Sequence, residues 1–452
     1  LHFSVDKGMS WKKFNDVGGY VVINAQGIML KGYKDTSFQE IIDNPPTIKL
    51  IQDKEKNYLI EKTWENKPLS REDFLRIMRK QLAEELVRIY ISLGLPLELK
   101  EINLIGQQIW VDGLTIEMLK EGGEFEQLVR DHGITGVTTN PTLIKAYLKD
   151  EAVLKKAREL ALRGLSSDEV YYELMKDLAL TVINIFKKYN VKGKFSVELD
   201  PNKAKDIQAS VEEAKKWTDI AAEYIMVKVA ATEEGYRIIE EVTAAGRNVN
   251  ATLIFTDEQY REVAQAYIRG LKRAQQAGYD LSKIYSVASF FISRWDTKLV
   301  NEIPQEYQGM FANSIAINAY NQIFTALFKS EEFKVLKEHG ANIQDFLLAS
   351  TGSKATSMPE QFKAQYPEDV YVTAVQGPSI VNTLPDKTIK YLLTLKIKPQ
   401  ATIIENYPLA QEILQVMQEL LTDLDKVGEE LFIAGMESFV NDFNAIQERS
   451  LT

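Results

Sequence analysis

A single lysine, Lys228, interrupts an otherwise uncharged stretch, Ile225-Met226-Val227-Lys228-Val229-Ala230-Ala231-Thr232. The stretch reads as a buried strand, and lysine is rarely buried without a partner or a task. Two readings are open at this point. In the first, the ammonium snorkels to solvent or pairs with a carboxylate. In the second, the amine is desolvated, its pKa falls, and it attacks a carbonyl to form a Schiff base. An attacking amine must be neutral. A lysine with an ordinary pKa of ~10.4 therefore has to come down by a few units through burial and nearby positive charge.

Composition narrows what could help such a lysine. The chain of 452 residues has no cysteine, which excludes disulfides, thiolate metal sites and cysteine nucleophiles. Its three histidines, His2, His132 and His339, are too scattered for a metal cluster or a Ser-His-Asp triad. Acid and base work therefore falls to carboxylates, lysines and tyrosines, and neither a metal nor a cofactor is expected. The net charge is −10, with the acidic excess beyond residue 95 and no basic stripe, which argues against nucleic acid as a partner. No window of 18 uncharged apolar residues is present, so no membrane association is expected. The first 25 residues lack the apolar core of a signal peptide, and a cytoplasmic location follows as the expectation. Leu1 marks either a chain cut from a longer one or a start codon read literally.

The elements that would position the lysine change character along the chain. Residues 1–95 read as a small α+β module. Hairpin strands at 20–23 and 28–30 flank a turn at 24–27, and strands at 47–51 and 58–60 flank a charged turn at 53–56. A helix over 70–93 is capped by Ser70 and ended by Gly94 and Pro96. No catalytic constellation falls in this module, and packing or homo-oligomerisation is the role expected of it. Over 96–452, eight short apolar runs alternate with long amphipathic segments. The runs are 108–111, 134–138, 194–197, 224–227, 248–252, 284–290, 346–349 and 370–374. Strand-helix alternation of this kind predicts an α/β fold, a (β/α)8 TIM barrel with extra helices. The additional helices fall in 142–190, one beginning near Ser166-Ser167-Asp168, and in 387–395 and 409–447. The long C-terminal helix is expected to cover the barrel mouth or wrap its side.

Barrels of this kind carry their chemistry at the C-terminal ends of the strands. Those ends hold Asp112 after the first run, Thr138, Thr139 and Asn140 after the second, and Glu198 after the third. Lys228 ends the fourth, Asn250 and Thr252 the fifth, and Ser289, Phe291 and Arg294 the sixth. Ser350 and Lys354 follow the seventh. Taken singly, Asp112 reads as a helix or loop cap, Glu198 as a salt-bridge partner, Asn140-Pro141 as a turn and Arg294 as a solvated charge. Polar residues recurring at one end of successive strands, on alternate positions that share a face, are harder to explain as scaffold.

The order of several stretches resembles the transaldolase family from about residue 105 to the C-terminus. They are Ile109-Trp110-Val111-Asp112, Gly136-Val137-Thr138-Thr139-Asn140-Pro141-Thr142 and Ser196-Val197-Glu198-Leu199-Asp200-Pro201. Met226-Val227-Lys228-Val229-Ala230-Ala231-Thr232, Asn248-Val249-Asn250-Ala251-Thr252-Leu253 and Ser286-Val287-Ala288-Ser289-Phe290-Phe291 follow. Ala349-Ser350-Thr351-Gly352-Ser353-Lys354, then Gly377-Pro378 and Val381-Asn382-Thr383, complete the set.

The resemblance implies a Schiff-base enzyme of the pentose phosphate pathway acting on sugar-phosphate substrates. It would move a dihydroxyacetone unit from sedoheptulose 7-phosphate to glyceraldehyde 3-phosphate. By the family's pattern Lys228 is the Schiff-base lysine and Asp112 the carboxylate that shuttles the proton in C–C cleavage. Glu198 and Thr252 order a water, and Asn140 and Asn250, with Thr138, hold the dihydroxyacetone unit. Ser289, Arg294, Ser350 and Lys354 fall where the phosphate is gripped. Phe291 matches the transferase pattern, whereas tyrosine there would lean toward a fructose 6-phosphate aldolase. That aldolase, and a sugar-phosphate-binding regulator without turnover, are the alternatives.

Overall fold

The computed structural model describes strands at 18–24, 27–33, 46–52 and 58–64, and residues 98–397, 400–420 and 423–449. The chain divides into two units, the larger comprising Glu98–Glu101, Gln107–Ile397 and Ala401–Thr452.

The smaller unit contains a four-stranded sheet. Its strands β1 (Gly18–Asn24), β2 (Gly27–Tyr33), β3 (Pro46–Gln52) and β4 (Tyr58–Trp64) lie in the order β2-β1-β4-β3. Both expected hairpins form. Asn24 pairs with Gly27 at the first turn and Gln52 with Tyr58 at the second. The helix expected over 70–93 lies outside the described residues.

The larger unit is a closed barrel of eight parallel strands flanked by helices. Its strands are β5 (Gln107–Asp112), β6 (Gly136–Thr138), β7 (Lys194–Glu198), β8 (Ile225–Ala230), β9 (Val249–Ile254), β10 (Ser286–Phe291), β11 (Gln344–Ala349) and β12 (Ile380–Leu384). The barrel closes between β12 and β5, where Ile380 pairs with Gln107 and Leu384 with Val111. Strands in such a barrel are covered on both faces and read as short apolar runs, which is why most were legible. Gly136 is required by packing, because a Cβ there would fall inside the Trp110 ring on the neighbouring strand.

The eighth strand is not where the sequence placed it. Residues Val370–Thr373 form a helical turn, and the barrel is closed by Ile380–Leu384. The Val-Tyr-Val-Thr run is rich in strand-forming residues, but its Tyr371 hydroxyl donates to buried Asp296 at 2.7 Å and its Tyr371 carbonyl accepts from Asn382 Nδ2 at 3.2 Å. These tertiary bonds hold the run outside the sheet and override its β propensity.

The helices follow their caps. Ser166 and Glu169 form a reciprocal capping box at the start of Ser167–Lys188, and Thr256 and Gln259 do the same for Asp257–Gln276. The segment over 409–447 is two helices, Tyr407–Leu420 and Leu424–Arg449. No described helix is long and apolar enough to cross a membrane.

Candidate active site

Strand register sets the site. Because the sheet is parallel, paired residues on neighbouring strands stand side by side. Glu198 pairs with Lys228, and Lys228 with Asn250. Asp112 pairs with Thr138, and Thr138 with Ser196. Two adjacent rows of polar side chains are thus produced near one end of an apolar barrel.

Lys228 does not reach solvent. It is 4% exposed, its Nζ lies 2.8 Å from Glu198 Oε2 as an ion pair, and it donates to the Thr139 carbonyl at 2.8 Å. Burial raises the Glu198 pKa, opposed by the Lys228 ammonium. A carboxyl that holds a proton more readily than usual, touching an amine, is placed to give and take protons there.

Asp112 accepts from Thr138 Oγ1 at 2.9 Å, and Thr138 Oγ1 is in turn hydrogen-bonded to Thr383 Oγ1 on β12. Its depth in the barrel mouth raises its pKa. The Thr138 hydrogen bond and the Lys228 and Lys354 ammoniums oppose that rise. Asn250 is fully buried and held at both ends, donating to Ser196 Oγ at 3.1 Å and accepting from Ser289 Oγ at 2.6 Å.

Thr252 is fully buried, and its Oγ1 has no partner among the described residues. The next residue, Leu253, has a φ of 57°. Left-handed backbone at a bulky residue costs ~1–3 kcal/mol and persists only where the surroundings enforce it. Here β9 carries an extra residue against β10, with the register shifting between Ala288 and Phe290. Such bulges re-aim side chains beside active sites. Ser350, which follows β11, is also left-handed with a φ of 57°.

Positive charge gathers at the other side of the mouth. Arg294, on the short helix Ser293–Lys298, lies over the Phe291 ring at 5.2 Å. Burial lowers the pKa of Lys354, and the Arg294 guanidinium lowers it further. Burial also lowers that of Arg294. Neither makes an ion pair within 4.0 Å among the described residues. Ser350 Oγ and Ser293 Oγ are hydrogen-bonded at 2.9 Å, tying the two loops that carry these cations. Two neighbouring cations with partial burial, and no carboxylate within 4.0 Å of either among the described residues, make a seat for an anion.

Of the residues expected from sequence, Asn140 also has a structural task at a helix start. Its Oδ1 accepts from Leu143 N at 3.0 Å and caps the helix Pro141–Tyr147, leaving the Nδ2 donors available. Sequence reasoning gave no role to four participants. Thr383 and Ser196 stood within stretches that carry the resemblance and Thr139 among the strand ends, but each acts only through a neighbour's bond. Phe439, whose ring centroid is 5.4 Å from Lys228 Nζ, comes from the last helix. Its only signal was the apolar stripe Phe439, Phe443 and Ile446. Among the described residues no cluster of His, Asp and Glu is placed to hold a metal ion.

Residues 109–450 match the family model described as transaldolase/fructose-6-phosphate aldolase. A transaldolase of Renibacterium salmoninarum is 33% identical over 75% of this chain and 92% of its own length. One from Thermobifida fusca is 32% identical over 79% of this chain and 98% of its own length. One from Saccharopolyspora erythraea is 37% identical over 64% of this chain and 80% of its own length.

Proposed function

The chain belongs to the transaldolase/fructose-6-phosphate aldolase family, and we propose that it runs transaldolase chemistry through Lys228. The observation that carries this reading is the buried Lys228 amine held between the Glu198 carboxylate and the Thr139 carbonyl, 2.8 Å from each. The enzyme is a transferase of aldehyde or ketone residues.

In the proposed sequence Lys228 adds to the C2 carbonyl of a ketose phosphate such as sedoheptulose 7-phosphate. Glu198 takes up the ammonium proton and, through a water held with Thr252, serves the loss of hydroxide that gives the imine. Asp112 then accepts the proton of the C4 hydroxyl. The C3–C4 bond breaks, its electron pair moving into the protonated imine, and erythrose 4-phosphate leaves. The enamine adds to glyceraldehyde 3-phosphate by the reverse steps, and hydrolysis frees fructose 6-phosphate. Asn250, fixed by Ser196 and Ser289, and Asn140 with Thr138 orient the hydroxyls of the three-carbon unit. Arg294, Lys354, Ser289 and Ser350 grip the phosphate, Arg294 in a bidentate fork and Lys354 as a point charge.

A coupled assay following erythrose 4-phosphate from sedoheptulose 7-phosphate and glyceraldehyde 3-phosphate tests this. Transfer that depends on the acceptor supports it; absence of product sinks it. We also propose a cytoplasmic enzyme whose residues 1–95 serve self-assembly. Light scattering that found only monomer would remove that second role.

A further inference from the structure

The last helix, Leu424–Arg449, crosses the end of the barrel that holds Lys228. One face of it does so throughout. Gly428 meets Thr256 and Trp295. At Gly435 an added Cβ would come 3.1 Å from Arg294 Nη1 and 3.1 Å from Leu253 Cδ2, so glycine is what lets the backbone pass so close. Phe439, 3% exposed, places its ring 5.4 Å from Lys228 Nζ. Met436 and Phe439 line the same cavity as Glu198 and Lys228. The helix is tied to three different segments of the mouth. Glu430 pairs with Lys298 at 2.9 Å, Asp442 with Lys145 at 2.9 Å, and Asn444 accepts from Asn202 at 2.9 Å.

We propose that Phe439 and Met436 are specificity-determining residues that commit the covalent intermediate to transfer rather than release. The inference rests on the Lys228 reading above. After C–C cleavage the enamine on Lys228 has two fates. It can attack an acceptor aldehyde. Alternatively, its C3 takes a proton, giving back the protonated imine. Water then adds to the imine carbon with loss of a proton, and the C–N bond breaks to leave free dihydroxyacetone and the lysine amine. The second fate consumes one water and needs solvent protons at the enamine. A ring over Nζ and a methionine on the wall of the same cavity fill the space from which bulk water would arrive, leaving the one water that Glu198 and Thr252 can place. The enamine then persists until an aldehyde enters.

The test uses the full chain with fructose 6-phosphate. Glyceraldehyde 3-phosphate release is measured in steady state without acceptor, and transfer is measured with erythrose 4-phosphate. The ratio of the two rates is the readout, which a general loss of structure would not raise. Phe439→Ala is expected to raise the ratio about tenfold, and half-buried Met436→Ala to raise it in the same direction. Phe439→Leu, which keeps an apolar plug, is expected to restore a ratio near wild type. If Phe439→Ala proves unstable on melting, the Met436→Ala ratio decides. An unchanged ratio in the alanine variants overturns the proposal, as does a ratio in Phe439→Leu as high as in Phe439→Ala. Borohydride trapping of wild type separates the two levels. An adduct on Lys228 with an unchanged ratio overturns the role of Phe439 and Met436 alone, whereas no adduct overturns the underlying mechanism as well.

Discussion

Asp296 lies two residues beyond Arg294 and is fully buried. Its carboxylate accepts from Tyr371 Oη at 2.7 Å and from Ala312 N at 3.2 Å, which ties the helix bearing Arg294 to two other segments. Tyr366 is the other titratable group that feels its charge. No cation among the described residues compensates the burial, which pushes the carboxyl from its ordinary 3.8 up to about 7. The sign follows from proton uptake. Below pH 3.8 both folded and unfolded chains hold the proton. Between 3.8 and about 7 only the folded chain holds it, so stability falls as pH rises, until both forms are ionised. Each pH unit in that window is worth about 1.4 kcal/mol. Going from pH 5 to pH 8 therefore costs the wild type roughly 3 kcal/mol that Asp296→Asn does not lose. For a barrel with an unfolding entropy of ~0.7 kcal/mol/K, that is ~4 °C. Asparagine can still accept from Ala312 N and offers its amide to the Tyr371 oxygen. Thermal melts of both proteins from pH 5 to pH 8 should show the Tm of Asp296→Asn gaining on wild type by that amount. A difference that is flat or shrinks with pH would mean the carboxyl ionises in the usual range and the burial argument is wrong.

Glu198→Gln should slow imine formation by ~10²–10⁴-fold, read as the rate of borohydride-trapped adduct in single turnover; an unchanged rate would remove Glu198 from proton transfer. Asp112→Asn should still trap an adduct but release no erythrose 4-phosphate from sedoheptulose 7-phosphate. In the wild type the acid limb of kcat/KM should lie above the ordinary aspartate value of 3.8, because burial raises Asp112 and the reaction needs its ionised form. A limb at or below that value would contradict the assignment. Arg294→Ala and Lys354→Ala should each raise KM for fructose 6-phosphate ~10- to 100-fold, the worth of a charge-assisted hydrogen bond. Neither should alter turnover of unphosphorylated fructose, and an equal loss on both sugars would place these residues elsewhere in the reaction.

Seven of the eight strands were legible because each is a short apolar run with a polar residue at its end, and a parallel barrel demands that pattern. The eighth was not, because 370–374 looks more like a strand than its neighbour does. What decides is a hydroxyl on Tyr371 reaching Asp296, a partner 75 residues away in the chain. Lys228, Glu198 and Asp112 were readable from type and position. Their relation was not, since the Glu198–Lys228 ion pair and the Thr139 carbonyl depend on register. The place of Thr383 beside Thr138 was not readable either, because the eighth strand was expected at 370–374. Phe439 lies more than 200 positions from Lys228, on a helix whose sequence gives a length and an apolar stripe but no destination.

The central claim is that Lys228 carries the substrate covalently. Incubation with fructose 6-phosphate and borohydride, followed by proteolysis and mass spectrometry, tests it directly. A reduced three-carbon or sugar-phosphate adduct is expected on the peptide containing Lys228, and none on Lys228→Ala. An unmodified Lys228, or an adduct of equal yield on another lysine, would contradict it.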